Sequence, residues 1–439
     1  MRNINHTSVS GTPPVTSKEA YYALFVLWLV HAIANIDRFA FGIVVQKIKV
    51  ELVLTDAQVG MATGLAFVVA YVGFGIPVSH WVGRVNRRNL LAGAVGVWSL
   101  MTVACGAAGN IAQLTLARIG LGAAESPCVP ASVSLIASYF DREKRSQAAG
   151  IFNSAAAAAG IVGTPLMGYI ADHYGWRAGF YVFGAIGLFL GLVVRITLRE
   201  PVRAELSSFK GRVPDGKMQS SLIDAVHFIY TNRGFRYLLL SHALYGIGFF
   251  AFATWLPVML IRSYGFTYTD LGLYSGVVIG LTMLVASIGS GFVSPIIVRR
   301  AGNDRAMVYI PAVFCLLSIP FMLVGSMGVS KEVVMVCGVA VFFCALIRTP
   351  PLLSLTMDLL PPAMHGTGTM ALVIFSSILG SALGPVIVGM VSDNLTPTLG
   401  SGLALQQALL WVAPAFCIVG SLLAFVPARY VPRQIADVH

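Results

Sequence analysis

The chain has 439 residues, of which 57% are apolar and 11% charged, and it carries a formal net charge of +11. A soluble domain holds about 25% charged residues, so this composition excludes a soluble globular enzyme, a disordered chain and a coiled coil. It also disfavours an outer-membrane barrel, whose alternating strands give no long apolar runs.

Residues 1–20, MRNINHTSVSGTPPVTSKEA, are polar and contain no apolar core. We expect a cytoplasmic tail here and no cleaved secretory signal. Twelve apolar runs follow, over 21–45, 57–79, 89–109, 112–139, 147–170, 177–197, 236–261, 271–297, 306–328, 332–356, 366–391 and 405–427. Each is long enough to cross a bilayer as a helix, and strands are excluded because an open sheet leaves backbone groups unpaired in lipid. The expected fold class is an all-α membrane protein of twelve transmembrane helices in two six-helix bundles. The N-terminal bundle spans 21–198 and the C-terminal bundle 236–427; between them 199–235 is a polar cytoplasmic linker, and 428–439 is a second cytoplasmic tail.

Orientation follows from the basic residues. With the N-terminus cytoplasmic, Lys47, Lys49, Arg177, Arg262 and Lys331 fall outside, and Arg38, Arg118 and Arg348 fall at membrane depth. All the rest of the 29 Lys and Arg fall inside, which is the asymmetry expected of loops retained in the cytoplasm. The positive charge therefore implies no nucleic-acid partner. Cys105, Cys128, Cys315, Cys337, Cys344 and Cys417 all sit in apolar runs, none at metal spacing; they read as small packing residues, and no metal or cofactor is expected.

The two halves echo each other. Helix five carries Gly168 and Asp172 in a G-x-x-x-D spacing after Pro165, and helix eleven carries Gly389 and Asp393 after Pro385. Basic clusters follow helix two and helix eight, and His31 and His242 each sit in the first helix of a half. A six-plus-six repeat in an all-helical membrane chain points to a secondary transporter.

After helix two, SHWVGRVNRR resembles the loop pattern of the major facilitator superfamily, with Arg84, Arg87 and Arg88 at its basic positions; GFVSPIIVRR resembles the second copy, with Arg299 and Arg300. ANIDRF and LARIGLGAAESPCVP resemble both the spinster-like and the anion:cation symporter branches. GIFNS, GWRAGF and TWLP are closer to the symporters, and LLPPAMHGTGTMALVIFSSILGSALGPVIVGMVSD to the spinster-like proteins. The resemblance covers essentially the whole chain. It implies the major facilitator fold, alternating access and a cytoplasmic gate at Arg84, Arg87, Arg88, Arg299 and Arg300.

Charges at membrane depth are the sharpest signal, since each unpaired one costs roughly 2.5–3.5 kcal/mol on insertion scales. Asp37, Arg38, Arg118, Glu125 and Arg348 should therefore face the bundle interior or a water-filled cavity. Arg118 and Glu125 lie two turns apart on one face of helix four, with Gly122 between them leaving room for a neighbour or a ligand; His31 and Arg38 share a face of helix one in the same way. The polar faces of helices one and four can then meet. A carboxyl whose arginine partner comes and goes becomes a proton carrier, which assigns proton coupling to Asp37 and Glu125; the competing expectation is a fixed ion pair locking helices one and four. Pro127 and Pro130 bend helix four just beyond Glu125. Arg38, Arg118 and Arg348 are the expected anion hooks, because guanidinium holds carboxylate bidentately. Tyr71, Asn153, His242, Tyr245 and Ser376, with His31, complete the expected substrate-binding set.

No G-x-S-x-G, H-E-x-x-H or G-x-x-x-x-G-K-[ST] pattern occurs, so no enzyme activity is expected and energy should come from an ion gradient. The reading is a monomeric, proton-coupled transporter of an organic anion, a small carboxylate or an amphiphilic anion, in a bacterial inner membrane. A spinster-like lysolipid or sphingolipid transporter, or a passive uniporter or channel, is the alternative.

Overall fold

The computed structural model describes residues 16–82, 84–201, 231–301, 305–360 and 375–430. Among them there is no strand, and eleven helical stretches are long and apolar enough to cross a membrane. Ten are single spans: α1 Ser17–Glu51, α2 Asp56–Gly75, α3 Arg87–Ala107, α4 Ile111–Tyr139, α5 Gln147–Tyr174, α6 Trp176–Thr197, α7 Arg233–Tyr264, α8 Tyr268–Arg300, α9 Val308–Ser326 and α10 Lys331–Leu352. The last, Leu379–Arg429, holds two. Gly400, at φ 76°, turns the chain between α11 (379–399) and α12 (401–429). Gly175, at φ 85°, makes the matching turn between α5 and α6, and both need the left-handed backbone that glycine adopts without steric cost. Most of the expected linker and the start of the eleventh expected run lie outside the described residues.

Short polar side chains start the helices. Thr16 with Glu19, Thr55 with Gln58 and Thr267 with Asp270 form reciprocal capping boxes, and Asn86, Asn110 and Asn232 accept from the backbone N–H three residues on. Each satisfies donors that the first turn cannot pair. Within the N-terminal half α3 packs on α6 and α2 on α4; within the C-terminal half α7 packs on α11 and α12, and α9 on α10.

Three helices carry a π-helical stretch, Met61–Leu65 in α2, Ala159–Gly163 in α5 and Tyr274–Val278 in α8, and a fourth such stretch, Ser376–Leu383, leads into α11. These are the helices through which the halves meet, α2 against α11 and α5 against α8, and the π-helical stretches face each other in the same pairs. A π-helical turn widens the helix and frees carbonyls. Glycines close the gap: a Cβ on Gly60 would come within 2.7 Å of the Pro385 carbonyl oxygen, and one on Gly272 within 2.5 Å of that of Thr164.

The echo between the halves has a direct structural role. The Asp172 carboxylate, from α5, accepts from the Tyr268 and Thr269 backbone N–H groups that start α8, at 3.3 and 2.8 Å. Asp393, from α11, accepts from the Asp56 and Ala57 N–H groups that start α2, at 2.8 Å each. One turn earlier, Gly168 and Gly389 lie directly against the carbonyls of Tyr268 and Asp56. Each half thus caps a helix of the other, with the glycine admitting the backbone and the aspartate completing its first turn. Both contacts lie at the same end of the molecule, the end of the Gly175 and Gly400 turns, which is closed between the halves.

Candidate functional site

The polar faces of α1 and α4 do meet. Arg38 Nη2 donates to Glu125 Oε1 at 2.6 Å. The Glu125 side chain is 2% exposed and that of Arg38 35%, so the pair lies at the edge of the buried interior, with Arg38 its more exposed member. The guanidinium carbon stands 5.0 Å from the Phe67 ring centroid and 4.9 Å from that of Tyr71, both from α2. Such contacts are worth about 0.5–2 kcal/mol and engage the faces of the guanidinium. Glu125 Oε2 and Arg38 Nε are buried without a partner.

Helix α4 is broken at this point. Its first segment ends at Glu125 and the second runs Cys128–Tyr139. Pro127, which has no N–H to give, stands at the break. Gly122 admits a neighbour: its backbone lies against the Phe67 carbonyl.

Arg118 departs from the expected anion hook. It is 2% exposed, and its guanidinium donates to the Ala62 and Thr63 carbonyls, at 3.3 Å each. These belong to the π-helical stretch of α2. The same guanidinium lies 4.3 Å from the Phe41 ring. It is held by backbone oxygens and aromatic faces, and Glu125 is paired with Arg38 across two helices instead of with its neighbour on α4. Asp37, 3% exposed, accepts from Thr102 Oγ1 at 3.0 Å, and its Oδ1 has no partner. It points towards α3, away from Arg38, as the turn of about 100° per residue requires.

In the C-terminal half Arg348 stands at a second break, between the segments Lys331–Ile347 and Thr349–Asp358 of the tenth helix. It is 7% exposed and does not reach out to a surface. Its Nη1 lies 3.2 Å from His242 Nδ1, and its guanidinium 4.1 Å from the Tyr245 ring. Tyr245 is fully buried and donates to Ser318 Oγ at 3.1 Å, so it supports Arg348 from inside the bundle. His31 stacks on Phe152 at 4.4 Å and leaves Nδ1 unpartnered. Asn153 is exposed and does not join this group. The side chain of Ser376 lies outside the described residues.

The five gate arginines separate. Arg87 is buried, pairing with Glu200 at 2.8 Å and donating to Ser138 Oγ at 2.7 Å. Arg88 accompanies it, with its backbone N–H on the other Glu200 oxygen at 2.8 Å. Both tie α3 to the ends of α4 and α6 inside one half, whereas Arg84, Arg299 and Arg300 are exposed. All six cysteines are free and buried. Among the described residues no group of three or more His, Cys, Asp or Glu is placed to hold a metal.

Sequence reasoning missed Asp56. It is fully buried at the closed end. Arg262 of α7 holds it at 2.5 and 2.8 Å, Lys49 of α1 at 2.5 Å, and Ser392 of α11 at 2.8 Å. In sequence it reads only as the residue after the Thr55 cap; the repeated G-x-x-x-D was the available signal for a contact at that level.

The family model of the major facilitator superfamily matches residues 27–385. An "MFS-type efflux pump" of Mycolicibacterium smegmatis is 26% identical over 96% of this chain and 95% of its own. A "probable galactarate/D-glucarate transporter" of Bacillus subtilis is 27% identical over 64% of this chain and 66% of its own. In solved structures, a bacterial homologue of the human lysosomal transporter Spinster, in an inward-facing and unoccupied conformation, superposes with a TM-score of 0.84 at 22% identity, covering 94% of this chain and 98% of that one. These relatives are transporters, in agreement with the absence of enzyme motifs. The chain is an integral membrane protein and belongs to the major facilitator superfamily.

Proposed function

We propose that this protein is a proton-coupled secondary active transporter of a small organic anion, working by alternating access between the 21–198 and 236–427 bundles. The observation that carries the reading is the Arg38–Glu125 pair at 2.6 Å. Arg38 is the partly exposed cation of the pair and holds its own counter-charge. An incoming carboxylate competes with Glu125 for the same guanidinium. Two anions sharing one partly exposed cation are disfavoured, so the substrate enters when Glu125 carries a proton. Release of that proton restores the internal pair and expels the anion. Asp37, with one oxygen free beside Thr102, is the second proton site.

The anion class draws support from the relatives described as transporting sugar acids, and the basic character of one end supports a cytoplasmic placing of both termini. The closed end, with Asp56 and Arg262, is then the outer one. Arg118 orients the field of Asp37 and Glu125 and does not touch the substrate.

The test is uptake of radiolabelled sugar acids by the full chain in proteoliposomes, with and without an inward-acid pH gradient. Accumulation above equilibrium that collapses with a protonophore is the expected outcome. Equal uptake with and without the gradient would leave a uniporter, and uptake only of a lysolipid would transfer the site to an amphiphilic anion.

A further inference from the structure

The internal repeat places two related charge sites in the protein, and only one of them carries its own counter-ion. In each half the fourth helix is broken: after a first segment of 15 residues in α4, ending at Glu125, and after one of 17 residues in α10, ending just before Arg348. At 1.5 Å per residue the breaks lie about 22 and about 26 Å from the helix starts, so the two charges stand at similar distances along their helices. Each faces the first helix of its own half. Glu125 meets Arg38 of α1; Arg348 meets His242 and Tyr245 of α7.

The chemistry differs. In the N-terminal half cation and anion are both present. In the C-terminal half the cation lies against an imidazole and a phenol ring, with no carboxylate pairing it among the described residues. His242 Nδ1, placed 3.2 Å from a guanidinium nitrogen, accepts from it and therefore belongs to a neutral ring. Arg348 Nε is buried with no partner at all. A guanidinium nine-tenths buried and lacking a counter-charge is costly at membrane depth, and discontinuous helices near the repeat interface are where transporters of this architecture hold charged groups.

We infer that Arg348, backed by His242 and Tyr245, is a second anion subsite, and that the substrate is a small organic dianion with one anionic group on Arg38 and the other on Arg348. This rests on the proposed transport of an organic anion and adds the number and position of its charges. A dianion bridging the two halves also gives the substrate a differential affinity for the conformation in which both arginines reach it, which a single charge held by one half lacks.

The experiment is a binding comparison on the purified full chain, read by ligand-induced shift of the thermal unfolding midpoint and by titration calorimetry. The probes are linear α,ω-dicarboxylates from oxalate to suberate and aldarates, each against the hydroxy acid or aldonate of the same chain length, which differs only in replacing one carboxylate by CH2OH. The inference expects at least one dianion to bind about tenfold or more tighter than its monoanionic match. Arg348→Gln should bring that dianion down to the affinity of its match, whereas Arg38→Gln should weaken both. Arg348→Lys, which keeps the charge, should retain part of the preference. Equal binding of dianion and match at every length in the wild-type protein overturns the second subsite while leaving the anion reading intact, and needs no variant to fold. Preference retained in Arg348→Gln overturns it as well. If no acid of either series binds, the anion reading fails and the subsite with it.

Discussion

Arg262 grips Asp56 across the boundary between the halves, its two terminal nitrogens on the two carboxylate oxygens at 2.5 and 2.8 Å. The acid is fully buried, and Lys49 and Ser392 approach the same oxygens. Four helices, α1, α2, α7 and α11, thus converge on one carboxylate. Removing Asp56 leaves the buried Arg262 without its counter-charge, at about 3–5 kcal/mol, whereas removing Arg262 leaves Lys49 on the acid and costs less. Asp56→Ala and Arg262→Ala should each lower the thermal unfolding midpoint and loosen the closed end. A cysteine introduced at Val388, which is fully buried in α11, should then react with maleimide faster than in the parent. Unchanged labelling would mean that the glycine contacts hold this end shut without the ion pair.

The second latch is steric. Gly168 and Gly389 lie where a Cβ would strike the Tyr268 and Asp56 carbonyls. Gly168→Val and Gly389→Val should bias the protein against the closed end while leaving each bundle folded. The check is accessibility of buried cysteines at Leu271 and Val388, which should rise with little loss of helical circular dichroism. A protein that resists labelling in both variants has room at these contacts.

Glu125→Gln keeps the size and hydrogen-bonding capacity of the side chain and removes its charge. Gradient-driven accumulation should vanish, while counterflow exchange, which moves no net proton, should survive in part. A merely fixed pair predicts loss of both with loss of expression, because Arg38 would be stranded. Arg38→Lys should not restore full affinity, since an ammonium gives a point charge where a guanidinium gives a flat fork between Phe67 and Tyr71. Intact pH-driven accumulation in Glu125→Gln would move the proton to Asp37.

Arg87 separates stability from transport. It is 4% exposed and pairs with Glu200 while donating to Ser134 and Ser138 of α4. Glu200→Ala leaves the buried Arg87 guanidinium without its counter-charge and should cost about 3–5 kcal/mol. Arg87→Ala opens a gap but leaves behind a carboxylate that is partly exposed and still accepts from the Arg88 N–H, so the charge left behind costs less. Substrate affinity in whatever folded protein remains should be unchanged. A large affinity loss at normal stability would return Arg87 to the gate.

Orientation is tested by cysteine labelling from the two sides of sealed vesicles. Positions 210 and 331 should label from the cytoplasmic and outer sides respectively, and the reverse pattern would put the Asp56 latch on the inside.

How much was legible differs between spans and partners. A bilayer demands that each segment satisfy its own backbone, so hydropathy along the chain reads out helices one by one. The described spans follow the expected runs for that reason. The polar faces of α1 and α4 were also legible, because helical period fixes which residues share a face. The identity of the pair was not. Arg118 and Glu125 are neighbours on one helix, yet Glu125 pairs with Arg38 and Arg118 turns to the Ala62 and Thr63 carbonyls. That choice depends on the rotation of α4 against α1 and α2, on the close approach allowed at Gly122 and on carbonyls available at the π-helical stretch of α2. None of these is a property of a single helix.

The G-x-x-x-D echo shows the same division. The repeat stood in the sequence as spacing alone: a small residue, then an acid one turn later. Only packing the two halves against each other made Gly168 and Gly389 into backbone contacts and Asp172 and Asp393 into caps on helices of the opposite half. Asp56 gave no sign of its role beyond following a capping threonine, because Arg262, Lys49 and Ser392 reach it from three other helices. The membrane class, the helices and the repeat could be read along the chain, since they depend on local chemistry in a uniform solvent. The tertiary structure decided which charges pair and which end is closed, since those depend on distances between segments far apart in the chain.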